Sequence, residues 1–187
     1  MAQDPSMRHD THSTTERRGW STKRIAVTAL FCAVSAIATL FLEFPILPGV
    51  TWLKYDPSGI VALIAGFAFG PATAAAVSVI PNLVHLATAS GIYGVIMAVL
   101  ATFTLAVPAA LVYRHDTSLR GAILGMAVGA VVCLAACILG NVVVTPFYAG
   151  MPVDAVIALI VPALLPFNLL KIALNCVVCA LVYKPVT

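Results

Sequence analysis

Charge is scarce in this chain. Only 9% of its 187 residues are charged, while 61% are hydrophobic. A soluble domain carries about 25% charged residues. The shortage excludes a soluble globular protein, because runs of about 20 apolar residues recur and such runs cross a bilayer. The net charge of +3 is small and scattered, which excludes a nucleic-acid-binding face. No G-x-x-x-x-G-K-[ST] phosphate loop occurs, so ATP hydrolysis would have to come from another chain. There is no H-E-x-x-H motif, and no Ser/His/acid or Cys/His set lies inside the apolar runs. No residue is therefore assigned a catalytic role. A channel filter motif is also missing, as is the internal repeat from which larger secondary transporters are built.

Cysteine is present but placed where it does little chemistry. Cys32, Cys133, Cys137, Cys176 and Cys179 all lie in apolar runs. Cys176 and Cys179 form a C-x-x-C, a spacing used by metal and redox sites. Within a packed helix the same residues serve as small, polarizable filler. The expectation is no disulfide, no metal and no cofactor.

What is there is an all-α integral membrane protein. Residues 1–22 are polar and read as a disordered cytoplasmic tail. Residues 23–187 read as one six-helix membrane domain with spans near 24–42, 57–69, 72–89, 92–113, 121–144 and 154–183. The first span resembles a signal peptide, but Phe44-Pro45-Ile46-Leu47-Pro48 after it is no cleavage site. Gly70-Pro71 and Ser90-Gly91 mark turns. In this six-helix bundle Arg8, Arg17, Arg18, Lys23, Arg24, Arg114, Arg120 and Lys184 fall on one side, leaving only Lys54 and Lys171 elsewhere. The positive-inside rule then puts both termini in the cytoplasm. The outer loops, 43–56 and 145–154, are rich in Pro, Gly and aromatics. They suit either a lid over a pocket or an interfacial belt.

Lys171 is the most informative residue. It sits in an apolar run, with Pro166-Phe167-Asn168 before it and Asn175 after it. An ammonium at membrane depth costs at least about 2.5–3.5 kcal/mol, so something must offset it. One reading is a functional site in a polar cavity. The other is a lysine that snorkels to the headgroups. Asn168, Lys171 and Asn175 share one helix face at i, i+3 and i+7. Asn82 and His85 lie on the third span and Asn141 on the fifth. Amides supply donors and acceptors and the lysine supplies donors, which suits a neutral flat heterocycle with alternating carbonyl and N–H edges. Buried asparagines also serve as interhelical glue worth about 0.6 kcal/mol each. Span one carries Ala29-x-x-x-Ala33, a small face that lets another helix approach closely.

Three stretches carry a family resemblance. They are Leu53-Lys54-Tyr55-Asp56-Pro57-Ser58 with Ala62-Leu63-Ile64-Ala65-Gly66-Phe67 and Gly70-Pro71; Asn141 with Pro146-Phe147-Tyr148; and Pro166-Phe167-Asn168-Leu169-Leu170-Lys171. With the basic amino terminus and alanine-rich first helix, the chain resembles the substrate-binding S component of an energy-coupling factor (ECF) vitamin transporter, in its riboflavin-specific branch. The first stretch departs from that branch at Gly59 and Val61, where an acidic residue and a proline are usual.

The resemblance implies a riboflavin-binding subunit, not an enzyme, in a prokaryotic cell membrane. Riboflavin would be the transported ligand. Its ring would be held by Asn141, Asn168 and Lys171, with Tyr55 as a weaker carry-over; Asn82 is a further substrate-binding candidate from its place among the amides of the outer span halves, not from the resemblance. Ala29 and Ala33 would dock a transmembrane coupling protein (the T protein), which binds two ATPases. The alternatives are an S component for another vitamin such as pantothenate, an intramembrane enzyme with His85 as base, or a structural membrane subunit.

Overall fold

In a computed structural model of the chain, residues 20–88 and 90–186 are described, with side chains through Val182. Residues 1–19 of the expected tail lie outside them. Helix α1 spans Thr22–Phe41 and is capped by the Ser21 hydroxyl, which accepts the Arg24 N–H at 3.3 Å. A two-residue antiparallel pair follows, β1 (Phe44–Pro45) with β2 (Lys54–Tyr55), which ties down the 43–57 loop. Then come α2 (Ser58–Phe69) and α3 (Pro71–Val79). Gly70 between them takes φ +88°, a backbone that only glycine adopts freely, and Pro71 starts the next helix where its missing N–H is harmless.

The expected span 72–89 is not one continuous α-helix. Pro81 interrupts it, and residues Pro81–Ala87 wind as a 3-10 helix. The long helices α4 (Gly91–Tyr113) and α5 (Leu119–Ala149) follow, and α5 ends on Gly150 in the left-handed region. The last segment is broken around Pro162 and Pro166. A short α6 (Val153–Ala158) leads into a π-helical turn, Ile160–Leu164, and then α7 (Leu165–Val186). In that turn the Leu164 N–H donates to the Leu159 carbonyl at 2.9 Å, five residues back. Such bulges concentrate at functional sites.

Among the described residues, four helical segments are long and apolar enough to cross a membrane: Thr22–Phe41, Gly91–Tyr113, Leu119–Ala149 and Ile160–Val182. Ser58–Phe69 and Pro71–Ala87 are shorter apolar helices. The packing is that of a membrane protein. Buried positions hold Ser35, Thr39, Thr73, Asn82, Thr102 and Asn175, while Leu30, Val131, Leu139, Val161 and Leu181 point outward.

Small residues set the helix spacing. Gly125 of α5 abuts α4 so closely that a Cβ would lie 2.6 Å from the Ala109 carbonyl oxygen, and Gly129 meets the Leu105 carbonyl in the same way. Close approach through glycine is the normal device where lipid removes the hydrophobic driving force between helices. The main core gathers Leu63, Val77, Leu105, Ala106, Cys133, Cys137 and Ile172 from α2, α3, α4, α5 and α7. A second cluster seals one end, where Leu53, Val156, Leu164 and Phe167 pack with Ile46, Leu47 and Trp52.

Candidate ligand-binding site

Between these two clusters lies a cavity of about 300 Å³. Its size is at the lower end of ligand pockets, which run about 300–1,000 Å³. The 43–57 loop contributes Glu43, Trp52, Leu53, Lys54 and Asp56; α4 contributes Tyr93, Met97 and Ala101; α5 contributes Cys137, Asn141 and Tyr148; α7 contributes Phe167, Asn168 and Lys171. Three of the sequence-predicted residues, Asn141, Asn168 and Lys171, thus line one cavity.

Each asparagine is anchored before any ligand arrives. Asn141 Nδ2 donates to the Cys137 carbonyl at 2.8 Å, and its Oδ1 accepts from Thr145 Oγ1 at 3.1 Å. Asn168 Nδ2 donates to the carbonyl of Leu164 at 2.7 Å; Leu164 is the last residue of the π-turn, which contains Pro162 and precedes Pro166. The bond to the carbonyl four residues back holds each amide against its own helix, so its direction is fixed.

Lys171 does not snorkel. Its Nζ lies 2.8 Å from Asp56 Oδ2, and the two side chains are only 11% and 5% exposed. Asp56 Oδ1 in turn accepts the Ser58 N–H at 3.1 Å and the Ser58 hydroxyl, which itself sits 3.3 Å from Thr102 Oγ1. Burial alone would raise the Asp56 carboxyl's pKa. The Lys171 charge and hydrogen bond, with the Ser58 donors, hold it below its ordinary value. A second ion pair, Lys54 to Glu43 at 3.5 Å, lies on the same cavity wall and is more exposed.

Aromatic rings line the rest of the wall. Trp52 and Tyr148 make an edge contact at 6.3 Å, and Tyr148 and Tyr93 lie 6.1 Å apart. The cavity can therefore surround a flat ring with aromatic surface while amides and an ammonium address its polar edge.

Two candidates stand off the cavity wall. Tyr55 follows Lys54 in an extended strand, so it takes the opposite face. Its hydroxyl donates to Asn175 Oδ1 at 3.1 Å, which also removes Asn175 from the cavity. Asn82 is fully buried and donates to the Ser78 carbonyl at 2.8 Å. His85, however, does line the cavity. Ala29 and Ala33 are exposed on α1, whose buried face is Thr28, Cys32, Ser35 and Thr39.

Sequence reasoning missed Asp56, Ser58 and Tyr93. The signal for Asp56 was arithmetic: a deeply placed lysine needs a counter-ion, and beyond residue 22 the acids are only Glu43, Asp56, Asp116 and Asp154.

Residues 23–183 match the family model for the ECF transporter substrate-specific component. The chain belongs to the substrate-specific (S) components of ECF transporters. It is thus a substrate-binding transport subunit rather than an enzyme. Among curated relatives, it is 28% identical over 169 residues to the riboflavin transporter RibU of Staphylococcus aureus (strain TCH60), covering 87% of this chain and 89% of that one. It is likewise 28% identical over 173 residues to the riboflavin transporter FmnP of Bacillus subtilis (strain 168), covering 86% and 90%. Its fold resembles the solved S component of a bacterial ECF transporter with a TM-score of 0.76 at 25% identity, covering 87% of this chain and 94% of that chain.

Proposed function

We propose that this S component captures riboflavin and that Asn141, Asn168 and Lys171 hold the polar edge of its ring. The observation that carries the reading is that these three side chains line one cavity together with Trp52, Tyr93, Tyr148 and Phe167. Riboflavin is uncharged and presents alternating carbonyl and N–H groups, which anchored amides and a lysine donor complement. The names of the two curated relatives point to the same ligand.

The rest of the proposal extends the family reading. The chain crosses a prokaryotic plasma membrane six times, with both termini in the cytoplasm and the 43–57 loop outside. Positive residues segregate accordingly, and the two shorter apolar helices supply the second and third crossings. The exposed Ala29 and Ala33 face is the docking surface for a transmembrane coupling protein bearing two ATPases. Tyr55 and Asn82 act on the site from behind, Tyr55 by fixing α7 through Asn175 and Asn82 by fixing the 3-10 segment that carries His85.

The direct test is to purify the full chain from cells grown with riboflavin and record its visible spectrum. A bound flavin gives a yellow protein whose colour leaves on denaturation. A well-folded protein that stays colourless and takes up no added riboflavin overturns the reading.

A further inference from the structure

His85 lines the cavity and is only 3% exposed. Among the described residues, neither its Nδ1 nor its Nε2 has a hydrogen-bond partner. Buried polar groups are nearly always paired, and leaving one unpaired is costly. Asn141, Asn168 and Lys171 each already hold a protein partner. Ser35, Thr39, Ser78 and Asn82 also carry an unpaired oxygen, but none of them lines the cavity. The backbone around His85 is fixed. Its carbonyl accepts the Thr88 N–H at 3.0 Å and the Thr88 hydroxyl at 2.9 Å, and Asn82, one turn earlier, is tied to Ser78. A pinned segment thus presents an unsatisfied imidazole to the ligand chamber.

His85 stands apart from the residues that address the ring edge. The 3-10 segment packs against α1, α3 and α4, whereas α7 packs against α2, α5 and the π-turn. Helix α4 measures the separation. A Cβ on Gly94 would lie 3.5 Å from the His85 Cβ. Ala101 borders a smaller void together with Asn168 and Lys171. Gly94 and Ala101 both line the main cavity and are seven residues apart. At 1.5 Å per residue that is about 10 Å along the helix. A ligand whose ring edge engages Asn168 and Lys171 therefore meets His85 with another part of itself, about two helical turns away.

That part must satisfy an imidazole nitrogen. A hydroxyl both gives and takes a hydrogen bond, so it suits either nitrogen, whichever carries the proton. A methyl group would leave both nitrogens buried and unpaired. We infer that His85 is a further ligand-binding residue that engages a hydroxyl on the ligand's side chain, which for riboflavin is the ribityl chain. This deepens the riboflavin reading and rests on it. It also sets a specificity rule, because a site built to hydrogen-bond a hydroxyl discriminates against an analogue that lacks it.

The test is equilibrium binding to the full chain in detergent with riboflavin and with lumiflavin, which keeps the ring and carries a methyl group in place of the ribityl chain. The wild type is expected to prefer riboflavin. His85→Phe keeps a flat ring and removes both nitrogens. In it that preference should shrink by about three- to tenfold, through weaker riboflavin binding with lumiflavin binding unchanged.

A merely structural role for His85 would weaken both ligands alike. An unchanged riboflavin-to-lumiflavin ratio in folded His85→Phe therefore overturns the inference and leaves the riboflavin reading standing. If that variant elutes as aggregate, His85→Leu decides by the same ratio. Failure of both to fold shows that the bundle itself needs the imidazole, and this too overturns the inference. A wild type that binds the two ligands equally well overturns the inference alone. A folded wild type that binds neither overturns the riboflavin reading and the inference with it.

Discussion

Lys171 Nζ and Asp56 Oδ2 lie 2.8 Å apart although 115 residues separate them in sequence. This pair answers the question that the lysine poses. A charge in an apolar run is tolerated because a carboxylate from the 43–57 loop reaches it, and Ser58 secures the carboxylate. The pair also joins the loop to α7 at the cavity wall, so the ligand chamber and the resting fold share one interaction.

Removing one partner should be costly. Breaking a buried pair from one side typically destabilises by about 3–5 kcal/mol, because the other charge is left uncompensated. Asp56→Asn and Lys171→Met should each lower the midpoint of thermal unfolding in detergent, while the double variant recovers most of the loss. Additive losses in the double variant would show that the two charges are not coupled.

The α4–α5 contact should tolerate no side chain. Gly129→Val places new atoms against the Leu105 carbonyl, which is backbone and cannot swing away. Overpacking of this kind costs about 1–3 kcal/mol. Thermal unfolding should register it, whereas exposed Ala33→Val should leave the midpoint unchanged.

Much of this was legible in the sequence, and the limits are physical. The apolar runs gave the helices, and Pro162 and Pro166 marked where the last one breaks, whereas the interruption of span 72–89 at Pro81 was not expected. Asn168 and Lys171 were recognisable because i, i+3 spacing on a helix needs no tertiary information. Asp56 was hidden because its partner lies on another element 115 residues away. Tyr55 was expected at the ligand from the family resemblance. The alternation of an extended strand sends it to Asn175 instead, and that alternation became visible only once β2 was known to pair with β1. Gly125 and Gly129 were not singled out in the sequence, and only the fold shows that they approach α4.

Topology can be tested with thiol-reactive labels in a cysteine-free background. Single cysteines at Thr51 and Asp154 should react with an impermeant external reagent, and one at Thr117 should react only after the membrane is opened. External labelling at Thr117 would contradict the six-crossing arrangement.

Coupling can be separated from capture. Replacing Ala29 and Ala33 together with Leu enlarges an exposed face and leaves the cavity wall untouched. Riboflavin uptake by whole cells should fall while the isolated subunit binds as before. Equal loss of binding would show that this face supports the bundle rather than a partner.

On the proposed function, anchored amides at the cavity wall hold the flavin ring. Titration of riboflavin into the purified protein, followed by quenching of flavin fluorescence, tests it most directly. Asn168 loses a hydrogen bond to ligand on truncation, worth about 0.5–1.5 kcal/mol. Asn168→Ala should therefore bind up to about tenfold more weakly than the wild type while eluting as a monodisperse, folded protein. Saturable quenching in the wild type with that loss in the variant is the predicted result. Equal affinity in wild type and a folded Asn168→Ala would contradict the claim.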